Sequence, residues 1–296
     1  MKKLVSIIIP TYKRPFKIVK RAIDSVKNQS YQNIEIIVVD DSPIDYPEIE
    51  KIKDYVNKNK NMIYIKNRTN LGGGKSRNKG IENANGVFVT FLDDDDVYLP
   101  LKIENQVNFM EKNEYDMSFT KMNIYNTNDK LVDVREYKNI PISNNSELLK
   151  YHLKYHMTGT PTFMYRIDSL KKIGGFDDVK MGQEFYLMLK TIKNDLKVGY
   201  MDKCDIKVYK HEGEAISKGT NKINGENNLF EMKKQYFDIL DRKEIKFITF
   251  RHYIVLSVAN LRNKHIIKSF GYLFLGFLYS PGNFALEGFN FIKKRK

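Results

Sequence analysis

A chain of 296 residues, 42% hydrophobic and 29% charged, has the composition of an ordinary globular protein and room for one large or two small domains with a real core. Its single cysteine, Cys204, excludes an internal disulfide framework and fits a reducing compartment. The net charge of +14 suggests an anionic partner, and it is uneven: from residue 241 onward eleven Lys and Arg face three Asp and Glu, a net of +8 that leaves +6 for the rest.

The chain opens "MKKLVSIIIPTYKRP". Basic residues before an apolar run resemble a signal peptide, but the run ends at Pro10 and Lys13 and Arg14 follow, so a buried first strand is expected. "IEIIVVDD" is a second continuous Val/Ile run, as in strands covered on both faces. Between them Pro15 can open a helix to about residue 28, with Ile18, Val19, Ala22, Ile23 and Val26 on one side. A helix over 47–59, a strand over 62–65, a helix over 75–84 and a strand over 86–92 continue the alternation. That order implies right-handed crossovers and a mostly parallel sheet.

Beyond Pro100 the pattern loosens into α+β. A helix over 101–112 leads into "YDMSF", a polar loop follows, and a helix covers 147–155. "TFMYR" reads as a strand, "GGFDD" as a turn, 184–193 as a helix and 198–211 as a strand. From about residue 225 the pattern is helical, and no stretch approaches the ~20 apolar residues that span a bilayer.

In parallel sheets ligands bind beyond the carboxyl ends of the strands, where Thr11-Tyr12, Asp40-Asp41 and Asp93 to Asp96 all fall. Four consecutive aspartates behind "FVTFL" repel one another and need either a solvated turn or a cation. A hard cation such as Mg2+ or Mn2+ takes oxygen ligands, and an Asp-x-Asp spacing lets one carboxylate take metal while its neighbour takes a nucleotide's sugar. "NLGGGKSRN" imitates a P-loop, but Thr69 stands where the first glycine is required. Its glycines, with Lys75 and Arg77, suit a phosphate contact or simply the entry to a helix. His152, His156, His252 and His265 show no metal-ligand spacing.

The ordered set "VSIIIPTYKRP…IIVVDDSP…NLGGGKSRNKGIENANGVFVTFLDDDDVYLP" resembles the family 2 glycosyltransferases of the GT-A fold. The likeness is close over about the first hundred residues and looser through "GGFDD…QEFYLMLK" and "HEGEAIS". It implies an α/β, Rossmann-like sheet with a nucleotide-sugar half over 1–100, an acceptor half over 101–220 and a helical basic extension over 221–296. By position it implies that Pro10, Thr11 and Tyr12 line the nucleoside pocket and that Asp40 and Asp41 lie at the base. Arg77, Asp93 and Asp94 would lie at the nucleotide, with Asp93 facing the ribose. Asp95, with Asp93 and His211, would hold Mn2+ or Mg2+ against the diphosphate, while Asp96 could equally cap the next helix. The family's general base is the aspartate of a Glu-Asp pair; here the pair reads Gln183-Glu184, so Glu184 is the candidate, with Asp177 or Asp178 as fallback.

The resemblance therefore implies inverting transfer from a nucleotide-diphosphate sugar, UDP-linked by preference, to a hydroxyl of a glycan or lipid-linked acceptor in surface-polysaccharide synthesis. The tail "IIKSFGYLFLGFLYSPGNFALEGFNFIKKRK" suits an interfacial helix on an anionic leaflet at the inner face of the cell membrane, or a helix packed on the catalytic domain or in a homo-oligomer. Nucleic acid is not an expected partner, because the aromatics are not interleaved with Lys and Arg in an RNA module. A nucleotidyltransferase would need a phosphate loop after the first strand, where "TYKRP" has no glycine. The Gln-Glu pair keeps one alternative open: a weak or inactive member that binds nucleotide-sugar or nucleic acid.

Overall fold

The computed structural model describes residues 2–210 and 219–287. These fall into two compact units, one of 2–148, 157–179 and 183–210, the other of 149–156, 180–182 and 219–287.

The first unit begins with the expected alternation: β1 (Val5–Thr11), α1 (Phe16–Lys27), β2 (Ile34–Asp40), α2 (Ile49–Asn57), β3 (Met62–Lys66), α3 (Gly73–Glu82) and β4 (Phe88–Phe91). Val5, Ile7, Ile8 and Ile9 of β1 and Ile37, Val38 and Val39 of β2 are wholly buried, because helices cover both faces of these strands. On α1, Val19, Ala22, Ile23 and Val26 turn inward at helical spacing, and Pro15 fixes the entry with φ −56°.

The chain continues through β5 (Val97–Tyr98), α4 (Lys102–Asn113), β6 (Met117–Thr120), β7 (Met122–Tyr125), β8 (Leu131–Arg135), α5 (Asn145–Tyr155), β9 (Met164–Arg166), α6 (Ile167–Lys172), α7 (Gln183–Lys193), β10 (Val198–Met201) and β11 (Ile206–Tyr209). Seven strands form the main sheet in the order β10-β6-β9-β4-β1-β2-β3, parallel except for β9. A smaller sheet runs β5-β11-β7-β8. The fold is α/β, with a mostly parallel sheet flanked by helices.

From β1 the chain steps outward to β2 and β3, then returns to the other side of β1 as β4. The order reverses there, and the crevice beyond the carboxyl ends of β1 and β4 is the ligand position of such sheets. α3 lies close on β1: a Cβ on Gly80 would stand 2.5 Å from Ile8 Cγ2.

Two expectations are corrected. The polar loop after β6 is a hairpin of β7 and β8, hidden in sequence because every residue of β8 is exposed. The single strand over 198–211 is two strands, β10 in the main sheet and β11 in the small one.

The second unit contains α8 (Gly219–Lys234), α9 (Arg242–Arg262) and α10 (Ile266–Tyr279). Asp241 and Glu244 form a capping box that starts α9. α9 and α10 pair as a hairpin, with Ser257 Oγ donating to the Ser269 carbonyl at 2.9 Å. Among the described residues no helix is long and apolar enough to cross a membrane.

Candidate active site

The four aspartates close a turn after β4, in which the Asp96 amide donates to the Asp93 carbonyl at 3.0 Å. Each carboxylate has a protein donor. Asp94 accepts from Thr11 Oγ1 at 2.7 Å and from Arg14 Nε at 2.9 Å. Burial pushes the Asp94 carboxyl up to about 6 against the pull of Arg14. Asp95 meets the other arm of Arg14 at 2.8 Å, and Asp93 meets Arg77 at 2.5 Å.

Asp96 accepts from the Tyr209 amide at 2.9 Å, tying the start of β5 to the end of β11. Burial, with the neighbouring carboxylates, raises it well above the usual range. It does not cap the next helix: α4 starts after Leu101 with no side-chain cap. The small sheet, unseen in the sequence, claims that carboxylate instead.

Pro10 pairs in register with Val39 near the end of β1, where its missing N–H costs least. Tyr12 is exposed, with the Lys13 ammonium 5.6 Å from its ring centroid. Asp40 is wholly buried and takes the Tyr64 hydroxyl at 2.7 Å and the Ser42 amide at 2.8 Å. Asp41 receives the Leu71 and Gly72 amides, each at 2.8 Å, and the Asn67 side chain at 2.9 Å. These contacts fix the glycine loop. Gly72 has φ +81°, a conformation that strains any residue with a Cβ.

Arg77, on the first turns of α3, bridges the turn to α7. One arm meets Asp93 and the other donates to Gln183 Oε1 at 3.2 Å, while its buried Nε has no partner among the described residues. A Cβ on Gly74 would stand 3.2 Å from the Gln183 amide carbon, so the loop leaves just enough room for this glutamine. Next to it, Glu184 is half-buried and has no hydrogen bond or ion pair among the described residues. Burial pushes the Tyr137 phenol up, and the charge of Glu184 adds to the shift. Each fallback candidate has a lysine partner: Asp177 pairs with Lys190 at 2.6 Å and Asp178 with Lys75 at 2.7 Å. His211 lies outside the described residues.

Asp93 and Asp95 therefore offer two carboxylates on one turn, and among the described residues no third His, Cys, Asp or Glu completes a metal cluster. Such a pair fits Mg2+ or Mn2+, which commonly takes one or two carboxylates and completes its shell with substrate phosphates and water. Both carboxylates are engaged by arginines, Asp95 by Arg14 and Asp93 by Arg77, so a cation would share or displace these contacts.

Three contacts at and beneath these strand ends are not legible in the sequence alone: Arg14 on Asp94 and Asp95, Asn67 on Asp41, and the buried Lys102. Lys102 donates to Thr90 Oγ1 at 2.6 Å and sits 4.2 Å from the Tyr98 ring centroid, and burial pulls its pKa well down. Only the basic "TYKRP" directly after β1 hinted at Arg14.

The sequence profile of Glycosyl transferase family 2 matches residues 6–174. An uncharacterised glycosyltransferase of Methanocaldococcus jannaschii is 34% identical over 207 residues, 70% of this chain and 70% of that protein. The Escherichia coli UDP-Glc:alpha-D-GlcNAc-diphosphoundecaprenol beta-1,3-glucosyltransferase WfaP is 37% identical over 151 residues, 50% of this chain and 57% of that enzyme. Among solved structures, S. aureus TarS 1-349 in complex with UDP-GlcNAc superposes with a TM-score of 0.64 at 20% identity, over 93% of this chain and 81% of that one. With the profile over more than half its length and the strand-end site beneath it, this chain belongs to glycosyl transferase family 2.

Proposed function

We propose that the chain is an inverting transferase that moves a hexosyl or N-acetylhexosaminyl group from a UDP-sugar to a hydroxyl of a glycan or lipid-linked acceptor. The observation that carries the reading is the contrast among carboxylates at α7: Glu184 answers no cation among the described residues, whereas Asp177 and Asp178 each answer a lysine. A base must be free to take a proton.

In this reading Thr11 and Tyr12 border the nucleoside, Asp41 holds the glycine loop beside it, and Asp93 accepts from the ribose. Glu184 Oε takes the acceptor hydroxyl's proton as that oxygen attacks the anomeric carbon, on the face opposite the departing nucleoside diphosphate. The new glycosidic bond forms as the bond to the diphosphate breaks, inverting the carbon. A base of this kind contributes ~10²–10⁴-fold. Arg14 and Arg77, already on the acidic turn, swing toward or share charge with the leaving phosphates. A divalent cation on Asp95, with Asp93 and with His211 as a further candidate ligand, would supply Lewis-acid stabilisation of that leaving group.

The donor and acceptor in the E. coli relative's name, UDP-Glc and a diphosphoundecaprenol-linked sugar, support a UDP donor and a lipid-linked acceptor here. They also support a place in the synthesis of a lipid-linked surface polysaccharide.

The test is a thermal-shift panel of UDP-, dTDP- and GDP-sugars with and without Mn2+, on wild type and Asp95→Ala. Ligands that bind only the folded state raise its melting temperature. Metal-dependent stabilisation by UDP-sugars that Asp95→Ala abolishes is expected. No response to any donor overturns the reading.

A further inference from the structure

Helix α10 is packed the wrong way round for a helix that faces water. Its small residues turn inward: Ser269 bonds to Ser257, and Gly276 lies against Ile254, Tyr253 and Phe250 of α9, with only 3.4 Å from a Cβ there to Ile254 Cδ1. Its large apolar residues turn outward. Ile267 is 88% exposed, Phe270 64%, Phe274 60% and Leu278 57%, at spacings of three, four and four residues that place them in one stripe. Soluble monomers rarely leave so continuous an apolar stripe uncovered.

The charges around the stripe identify what covers it. Between residues 245 and 286 the chain has Lys246, Arg251, Arg262, Lys264 and Lys268 and no Asp or Glu, and of these Arg251 is answered by Glu287 at 3.9 Å. Arg262, Lys264 and Lys268 are exposed beside the start of the stripe. A second copy would bring these like charges together across a symmetric contact, without an acidic residue from this segment to answer them. An anionic lipid surface satisfies both features, taking the aromatic and aliphatic side chains into its interface and the lysines among its headgroups. The helix is too short to cross, so it lies in the plane.

We propose that the outward face of α10 is a membrane-docking surface, seated on an anionic leaflet through Ile267, Phe270, Phe274 and Leu278 with Lys264 and Lys268 at the headgroups. The proposal specifies the membrane contact of the proposed transferase and rests on that reading for its purpose. Its measurement needs no sugar donor, so the two fail separately.

The test is co-sedimentation of the full chain with phosphatidylcholine vesicles, with and without phosphatidylglycerol, for wild type, Phe270→Glu/Phe274→Glu and Lys264→Glu/Lys268→Glu. Wild type should partition onto the anionic vesicles, and the double phenylalanine variant should lose about tenfold or more of that binding with an unchanged circular dichroism spectrum. The lysine variant, which alters only exposed charge, should lose the preference for phosphatidylglycerol; it decides the matter if the phenylalanine variant misfolds. Equal behaviour of all three proteins on vesicles overturns the proposal. So does a concentration-dependent dimer, seen by sedimentation velocity, that the phenylalanine variant abolishes while wild type ignores vesicles.

Discussion

Thr11 Oγ1 donates to Asp94 Oδ2 at 2.7 Å across the point where strand order reverses between β1 and β4. The bond joins residues 83 apart in sequence and closes the floor of the crevice, with Arg14 completing the carboxylate. Replacing Asp94 with Ala leaves a buried hydroxyl and a half-buried guanidinium short of a partner, a loss of about 2 kcal/mol. A fall in melting temperature of about 4–8 °C is expected by calorimetry, with Asp94→Asn falling less because it keeps an acceptor.

Asp41 organises the glycine loop rather than standing free at its edge. Removing it in Asp41→Ala releases the Leu71 and Gly72 amides and the Asn67 side chain together. UDP affinity should weaken by about tenfold or more in calorimetric titration, since the loop no longer arrives preorganised. Gly72→Ala should weaken it too, by the ~1 kcal/mol or more that a side chain costs at φ +81°.

Much of this site could be read from the sequence because it follows a backbone rule. Continuous Val/Ile runs marked β1 and β2, and parallel-sheet topology carried their polar ends to one edge. What stayed hidden were pairings between distant side chains. Nothing local to Asp94 names Arg14, 80 residues earlier, and nothing in Asp96 reveals that β11 will claim it 113 residues later. β8 escaped because its exposed faces carry no alternation, and Lys102 because a fully buried lysine contradicts the usual pattern. The outward apolar stripe of α10 was legible as an apolar tail, but only packing shows which side turns outward.

Arg77 ties the acidic turn to the helix that carries Glu184. A lysine keeps the charge but cannot reach Asp93 and Gln183 with two planar arms. Arg77→Lys should therefore reduce kcat by about 10- to 100-fold, as expected from small misplacement of a reacting group, with a melting temperature within a few degrees of wild type. Steady-state kinetics beside a melting curve separates this from a simple loss of folding.

In the helical unit, burial lowers the Lys233 pKa to about 8 from an ordinary value near 10.5. Below pH 8 the lysine is charged in both folded and unfolded chains and adds no slope. Between pH 8 and about 10 the unfolded chain holds a proton that the folded chain has released, so this group makes stability rise with pH. The contribution is ~1.4 kcal/mol per pH unit. Chemical denaturation at pH 7, 8, 9 and 10 should show that increment in wild type and its loss in Lys233→Met. Above pH 10 the buried tyrosines oppose the trend, because Tyr98 and Tyr165 resist ionising in the fold.

The most direct measurement is the rate of UDP release from UDP-glucose and UDP-GlcNAc, with UDP affinity titrated in parallel, for wild type, Glu184→Gln and Asp178→Asn. Glu184→Gln should lose ~10²–10⁴-fold in rate while binding UDP as wild type does, and Asp178→Asn should retain most of its activity. Full activity in Glu184→Gln, or its loss in Asp178→Asn with UDP binding intact, would contradict the assignment of the base.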